Sequence, residues 1–313
     1  MTTFTLGTAQ LGMKYGAVND TGKPARTEAV CILKRALECG ACAIDTARCY
    51  GDAEEIVGDA IAENRQVPVI TKLHLLARTS PDADESAVRA AVEGSILSSR
   101  CALRTDRLDT VLLHDWKHYS SWNGAAWRRL LDFQAAGTIR RLGASLYEPS
   151  QALQALRDPA IQHLQIPFNI LDWRWKAASI EDAIAARPDV VLHVRSALLQ
   201  GILVQSAERW PEIPGFDTEL CAKRLVRLTH ILGRESRADL CFAYVRAQSW
   251  VDSVVVGCET LAQLEADLHL FALPPLSADQ CDLLERSFVG SPAALLNPSQ
   301  WTMATAAAIG ANA

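Results

Sequence analysis

Leu6-Gly7-Thr8-Ala9-Gln10-Leu11-Gly12 is the first place where a strand-like run gives way to a helical one. This turn separates the two folds that the rest of the chain allows. An open, doubly wound sheet that binds a dinucleotide carries GxGxxG here, because its backbone must come close to a diphosphate. In this turn Gly7 and Gly12 do not form that fingerprint in register, which disfavours the open sheet.

Outward from this turn, short apolar runs alternate with longer amphipathic ones. Strands are predicted at Phe4–Gly7, Cys42–Asp45, Val67–Lys72, Leu108–His114, Ile139–Ser145, Ile161–Gln165, Val190–Arg195 and Ser253–Gly257. Helices are predicted at Glu28–Cys39, Ala87–Leu103, Ala125–Ala136, Thr218–Gly233 and from Leu261 to about Leu270, where apolar residues recur at helical spacing. Gly40 reads as a C-cap, and Ser277 with Gln280 as a capping box that opens one more helix. Val190-Val191-Leu192 and Val254-Val255-Val256 are continuously apolar, as in strands covered on both faces. Eight such units predict a closed (β/α)8 TIM barrel. It would be a single domain over residues 1–313, with an uncharged C-terminal segment over 287–313. That segment is either a loosely packed tail or a cover over the barrel mouth anchored by Trp301.

Composition narrows the function. Hydrophobic residues are 49% and charged residues 21%, so the chain folds rather than staying disordered. A net charge of −5 argues against binding a phosphate backbone, and no uninterrupted apolar run is long enough to span a bilayer. The N-terminus shows no basic start followed by an apolar segment, so a cytoplasmic location is expected. Nine cysteines on irregular spacings read as free thiols in a reducing compartment. Cys39 and Cys42 have CxxC spacing, but Cys39 falls at a helix C-terminus, where a thiolate is disfavoured. Both are expected to be small buried residues. No metal-ligand cluster is evident.

In a barrel of this type, reactive groups gather at the C-terminal ends of the strands. Strand two ends in Asp45 with Tyr50 just beyond, strand three in Lys72 and strand four in His114. Each alone is commonplace, but closure sets all four around one mouth.

These residues, with Ile44-Asp45-Thr46-Ala47, Tyr50-Gly51, Val57-Gly58, Ile139-Arg140-Arg141-Leu142-Gly143-Ala144-Ser145 and Gln165-Ile166-Pro167-Phe168-Asn169, give a chain that resembles the aldo-keto reductase superfamily from Leu6 to about Leu268. The opening turn looks like a bacterial branch with members linked to sugar metabolism. The resemblance implies an oxidoreductase that interconverts an aldehyde or ketone, possibly sugar-derived, with an alcohol. Its cofactor would be NADP(H) or NAD(H). Tyr50 would donate the proton. A phenol has a pKa of about 10, and a cation about 4 Å away at an effective dielectric near 20 contributes about 4 kcal/mol. Lys72 would be that cation, with Asp45 keeping it charged and His114 holding the carbonyl oxygen.

For the cofactor, the resemblance implies Thr8 and Asp45 near the nicotinamide ribose beside an open Gly7, and Ser145 and Gln165 on the carboxamide. Arg195 would stack on the ring where many relatives carry an aromatic, and Ser196, Leu198 and Gly201 would follow the diphosphate. After Gly257, Gln263 stands where many relatives have an Arg for the adenosine 2′-phosphate, and Glu259 adds a negative charge. Either side chain would suit a bare ribose hydroxyl. Two readings are open for Arg48: a substrate contact at the mouth, or a solvated loop charge. Trp116 would line one wall of the substrate pocket. Trp173 and Trp175 belong to either rim or core. The alternative function is a catalytically weak, nicotinamide-binding regulatory or redox-sensing protein on the same barrel. A lyase or isomerase barrel is more distant.

Overall fold

A computed structural model describes residues 2–74, 76, 79–298 and 301. Eight parallel strands close into a barrel: β1 (Thr3–Gly7), β2 (Ala43–Asp45), β3 (Val69–Lys72), β4 (Leu108–Leu113), β5 (Ile139–Ser145), β6 (Ile161–Pro167), β7 (Val191–Arg195) and β8 (Ser253–Gly257). β8 pairs with β1 and closes the ring, setting Gly257 beside Gly7. Strand three starts later than the alternation suggested because Pro68 has no N–H to donate, although its carbonyl accepts from Ile44. Strand four stops before His114, which turns into the mouth.

The connecting helices are α1 (Ala9–Gly12), α2 (Arg26–Glu38), α3 (Ala53–Ala60), α4 (Glu85–Leu103), α5 (Ala125–Ala135), α6 (Pro149–Ala155), α7 (Arg174–Ala177), α8 (Ile180–Ala185), α9 (Thr218–Ile231), α10 (Arg237–Arg246) and α11 (Leu261–Ala272). After them come α12 (Ala278–Phe288), opened by the expected Ser277–Gln280 capping box, and α13 (Ala293–Leu296). Trp301 donates from its indole to the Leu295 carbonyl at 3.0 Å, so its partner is α13. Of the segment expected to cover the mouth, residues 299, 300 and 302–313 lie outside the described residues.

The main apolar core lies between sheet and helices, with Leu6, Ile44, Val111, Leu164, Leu192 and Val254 fully buried on the sheet's outer face. Inside the barrel the lining is mixed. Ala43, Ile70 and Leu112 form a separate small apolar cluster, while Thr5 and Ser253 share a buried 2.7 Å hydrogen bond. The CxxC expectation is corrected here. Cys39 and Cys42 are exposed, because the end of α2 and the start of β2 reach the rim opposite the mouth. There Cys42 Sγ lies 3.1 Å from Thr3 Oγ1. The tryptophan pair divides: Trp175 is buried with its indole on Asp172, and Trp173 is a rim residue with its indole on the Ser291 carbonyl.

His163 on β6 and His193 on β7 are both buried, with ring centroids 4.4 Å apart. Among the described residues, His163 Nε2 and His193 Nδ1 have no hydrogen-bond partner. Burial therefore holds both rings neutral, pushing His163 well below the ordinary range and His193 to about 4. Below pH 6.5 the unfolded chain takes up protons that these folded rings refuse, so stability is lost as pH falls from about 6.5 toward 4. Urea unfolding at pH 7 and pH 5 measures this. The His163→Gln and His193→Gln variants should each lose less over that interval than the parent, by on the order of 2 kcal/mol. Equal losses in parent and variants would show that the pair does not carry the acid sensitivity.

Candidate active site

The site is built where β2, β3 and β4 end. Asp45 is the last residue of β2 and Lys72 the last of β3, so their side chains share the barrel interior. Lys72 Nζ lies 2.7 Å from Asp45 Oδ1 and also donates to the Thr46 carbonyl at 2.9 Å. Asp45 Oδ2 accepts from Gln165 Nε2 at 2.6 Å, which ties the pair to β6 across the barrel. Asp45 and Lys72 are only 4% and 1% exposed, so each charge is compensated by a partner rather than by water. Burial pushes the Lys72 ammonium below the ordinary lysine range, and Asp45 opposes that shift.

Tyr50 sits in the loop between β2 and α3. Its carbonyl accepts from Ala53, and its N–H donates to the Ala47 carbonyl at 3.0 Å. The loop is pressed against α1 so closely that only glycine fits at two places. A Cβ on Gly12 would lie 1.9 Å from the Tyr50 carbonyl oxygen, and one on Gly51 would lie 2.3 Å from the Gly12 carbonyl oxygen. Gly51 also has φ +59°, a backbone region that suits glycine. The ring of Tyr50 meets that of His114 edge-on, with centroids 5.8 Å apart. All four residues expected from the sequence therefore converge on one mouth.

One electrostatic expectation is corrected. Lys72 Nζ approaches the face of the Tyr50 ring, 5.0 Å from its centroid, while its charge is held by Asp45. Burial, with Asp45 and Tyr15, pushes the Tyr50 phenol well above its ordinary value, and Arg195 only partly opposes this. Tyr50 is thus a firmly protonated acid here. His114 is pushed down to about 3 by burial and the nearby Lys72 and Arg195, so it stays a neutral ring.

Of the other expected residues, Thr8 is buried and its hydroxyl donates to the Asp45 carbonyl at 3.0 Å. Ser145 and Gln165 are register partners at the ends of β5 and β6. Gln165 Oε1 is a buried acceptor without a donor among the described residues. A nicotinamide carboxamide carries the N–H2 that such an acceptor needs, so these residues fit the cofactor. Arg195 ends β7 with its guanidinium 4.4 Å from the Tyr147 ring centroid, and it forms no ion pair among the described residues. Beyond it, Ser196, Leu199, Gln200 and Gly201 all have left-handed backbone, a strained turn of the kind found at ligand sites. Leu198 lies within this turn.

Three expected contacts find other partners. Arg48 does not stand free at the mouth: its Nη1 lies 2.5 Å from Glu54, a carboxylate that is 1% exposed and also accepts from Thr71 at 2.6 Å. Trp116 is buried, with its indole on Gln154 and its ring stacked on Tyr119 at 4.5 Å. Gln263 Oε1 accepts from Glu259 N and Thr260 N, capping α11. Glu259 is raised by burial, and nearby Asp267 is raised to about 7 by burial and by Glu259.

Sequence reasoning missed Tyr15, Tyr147 and Cys49. None lies in a periodic element, so no spacing marked them. Tyr15 is placed at the mouth by loop geometry alone, where burial raises its phenol and Arg195 opposes the shift. Cys49 Sγ lies 3.4 Å from His114 Nδ1.

The Asp45–Lys72 pair makes a test that separates electrostatics from packing. Lys72→Met leaves Asp45 buried without its cation and should cost roughly 3–5 kcal/mol at pH 7. The deficit against the parent should shrink at lower pH, because a stranded carboxyl can take up a proton. A deficit independent of pH in chemical denaturation would mean that Asp45 is not left charged.

The sequence model described as "Aldo/keto reductase family" matches residues 3–287. Among solved structures, glycerol dehydrogenase from Gluconobacter oxydans is 23% identical, with 92% of this chain and 93% of that one covered at a TM-score of 0.69. The holo form of an aldo-keto reductase from Bacillus halodurans is 21% identical, with 90% and 91% covered at a TM-score of 0.68. A putative aldo-keto reductase from Pseudomonas aeruginosa is 22% identical, with 86% and 89% covered at 0.63. These likenesses carry the barrel. The family match spans nearly the whole chain, which belongs to the aldo/keto reductase family, a family of carbonyl oxidoreductases.

Proposed function

We propose that this protein interconverts a small aldehyde or ketone and its alcohol with NADP(H) or NAD(H), using Tyr50 as the proton donor and acceptor. The observation that carries the reading is the buried Asp45–Lys72 pair, whose ammonium faces the Tyr50 ring beside His114. A bound nicotinamide supplies or accepts the hydride. The chain's own residues handle the oxygen. Tyr50 and His114 orient the carbonyl, and the Tyr50 phenol gives its proton to the forming alkoxide. Lys72, fixed by Asp45 and the Thr46 carbonyl, stabilises the phenolate left behind. Asp45 and Gln165 keep that cation in one place. Gln165 Oε1 and Ser145 would hold the carboxamide, and the turn from Ser196 to Gly201 the diphosphate.

A hydroxyl-rich, sugar- or polyol-derived carbonyl is the favoured substrate class. It rests on the opening motif and on the fold shared with a glycerol dehydrogenase. Nine free cysteines suit a reducing cytoplasm.

Loss of nicotinamide absorbance against a panel of aldehydes, ketones and sugars tests the reading. Tyr50→Phe should keep cofactor affinity and lower turnover by ~10²–10⁴, the usual worth of general acid catalysis. Because His114 titrates near 3 and Tyr50 lies above its ordinary value, reduction by the parent should be flat from about pH 5 to 8. It should fall only on the alkaline side, as Lys72 loses its proton. Near-parental turnover in Tyr50→Phe, with chemistry limiting, removes Tyr50 from this role.

Cofactor choice gives a second test. Of the three basic residues on α9 that could reach a 2′-phosphate, Lys223 is paired with Glu219 and Arg224 donates to the Ser287 carbonyl, while Arg227 forms no ion pair among the described residues. With Glu259 and Asp267 also close by, NADPH and NADH should both bind. Fluorescence titration at one ionic strength should give a preference for NADPH below about a hundredfold, roughly 2.7 kcal/mol. A larger preference would show that Arg227 or another basic residue supplies the phosphate site.

A further inference from the structure

Cys49 lies between Arg48 and Tyr50, and its Sγ is 3.4 Å from His114 Nδ1, within hydrogen-bond range for sulfur. No other partner of His114 Nδ1 competes for this position among the described residues. A neutral imidazole carries one N–H, and whichever nitrogen accepts a hydrogen bond leaves the proton on the other. We propose that Cys49 is a positioning residue that sets the tautomer of His114: the thiol S–H donates to Nδ1, so that Nε2 carries the N–H offered to the substrate oxygen.

Both partners are able to form the bond in this direction, and the substrate oxygen selects it. Burial raises the Cys49 thiol, so the sulfur keeps the proton that it would donate to Nδ1. His114 is held neutral, so one nitrogen is always free to accept. The opposite tautomer would turn the Nε2 lone pair toward a carbonyl oxygen, where two acceptors meet and neither is satisfied. The backbone places the thiol firmly. Arg48 is clamped to buried Glu54 on one side of Cys49, and Tyr50 is held by the close contact with Gly12 on the other. The same short loop therefore presents the proton donor to the substrate and the orienting donor to the histidine. This inference deepens the proposed carbonyl chemistry and rests on it for its kinetic consequence, but the tautomer itself can be read without turnover.

The test uses the full chain labelled with ¹⁵N-histidine. The His114 signals are assigned by their loss in His114→Asn. In the parent, Nε2 should be the protonated nitrogen and Nδ1 the unprotonated one. Cys49→Ala should shift His114 toward a tautomer mixture and lower kcat/KM by roughly three- to tenfold, the worth of one neutral hydrogen bond. Cys49→Ser, which keeps an O–H donor, should restore both the tautomer and kcat/KM to within about twofold. A merely structural role for Cys49 would leave the ¹⁵N pattern unchanged. A protonated Nδ1 in the parent, or an unchanged pattern in Cys49→Ala, overturns the proposal whatever the activity. If the tautomer behaves as expected but no carbonyl compound is turned over, the functional reading fails and the positioning role stands.

Discussion

The contact between Lys72 and Asp45 sets the terms for everything around it. Two opposite charges, each under 5% exposed, persist inside a protein only when their remaining hydrogen-bonding positions are filled. Here the Thr46 carbonyl and Gln165 do this. The first comes from the turn that leaves β2, and the second from the far side of the barrel. The last hydrogen bond to Asp45 is thus made only when the barrel is closed. The ion pair joins neighbouring strands, but Gln165 reaches Asp45 only across the closed barrel.

The loop that carries Tyr50 is fixed by a second buried carboxylate, which works differently. Glu54 collects Thr71 from β3 and Arg48 from the loop itself, so the segment is tied to the strand that ends in Lys72. On its other side, the missing side chains of Gly12 and Gly51 let two backbones touch. Placement of the phenol comes from these neighbours, because no regular element runs through the loop. The result is a phenol that is desolvated and firmly protonated, facing an ammonium whose own proton affinity burial has lowered. Desolvation pushes both groups toward their neutral forms. Asp45 is what keeps charge on the lysine.

The mouth around this centre is positive and aromatic. Arg195 has no carboxylate partner among the described residues and rests on Tyr147, while Tyr15 approaches from the first loop. At the β8–α11 turn and in α11 the side chains are carboxyl groups instead, with Glu259 raised by burial and Asp267 raised by burial and by Glu259. A long ligand crossing from one end to the other would meet a guanidinium and then carboxyl groups.

Residue order settled much of this molecule on its own. Apolar runs of four to seven residues alternating with helical periodicity specify eight parallel units, because each pattern buries its face in only one kind of element. The capping box at Ser277 and the left-handed Gly40 were legible for the same reason, since local backbone chemistry needs no distant partner. Asp45, Lys72 and His114 could be named because strand ends are readable and a barrel gathers them. Folding alone decided what each side chain touches. Arg48 went to Glu54, Trp116 to Gln154, Gln263 to its own helix cap and Cys49 to His114. Those outcomes depend on distances between segments far apart in the chain or in aperiodic loops, where spacing carries no directional information. The phenol's upward shift belongs with them, because burial is a property of the assembled barrel and no residue type encodes it.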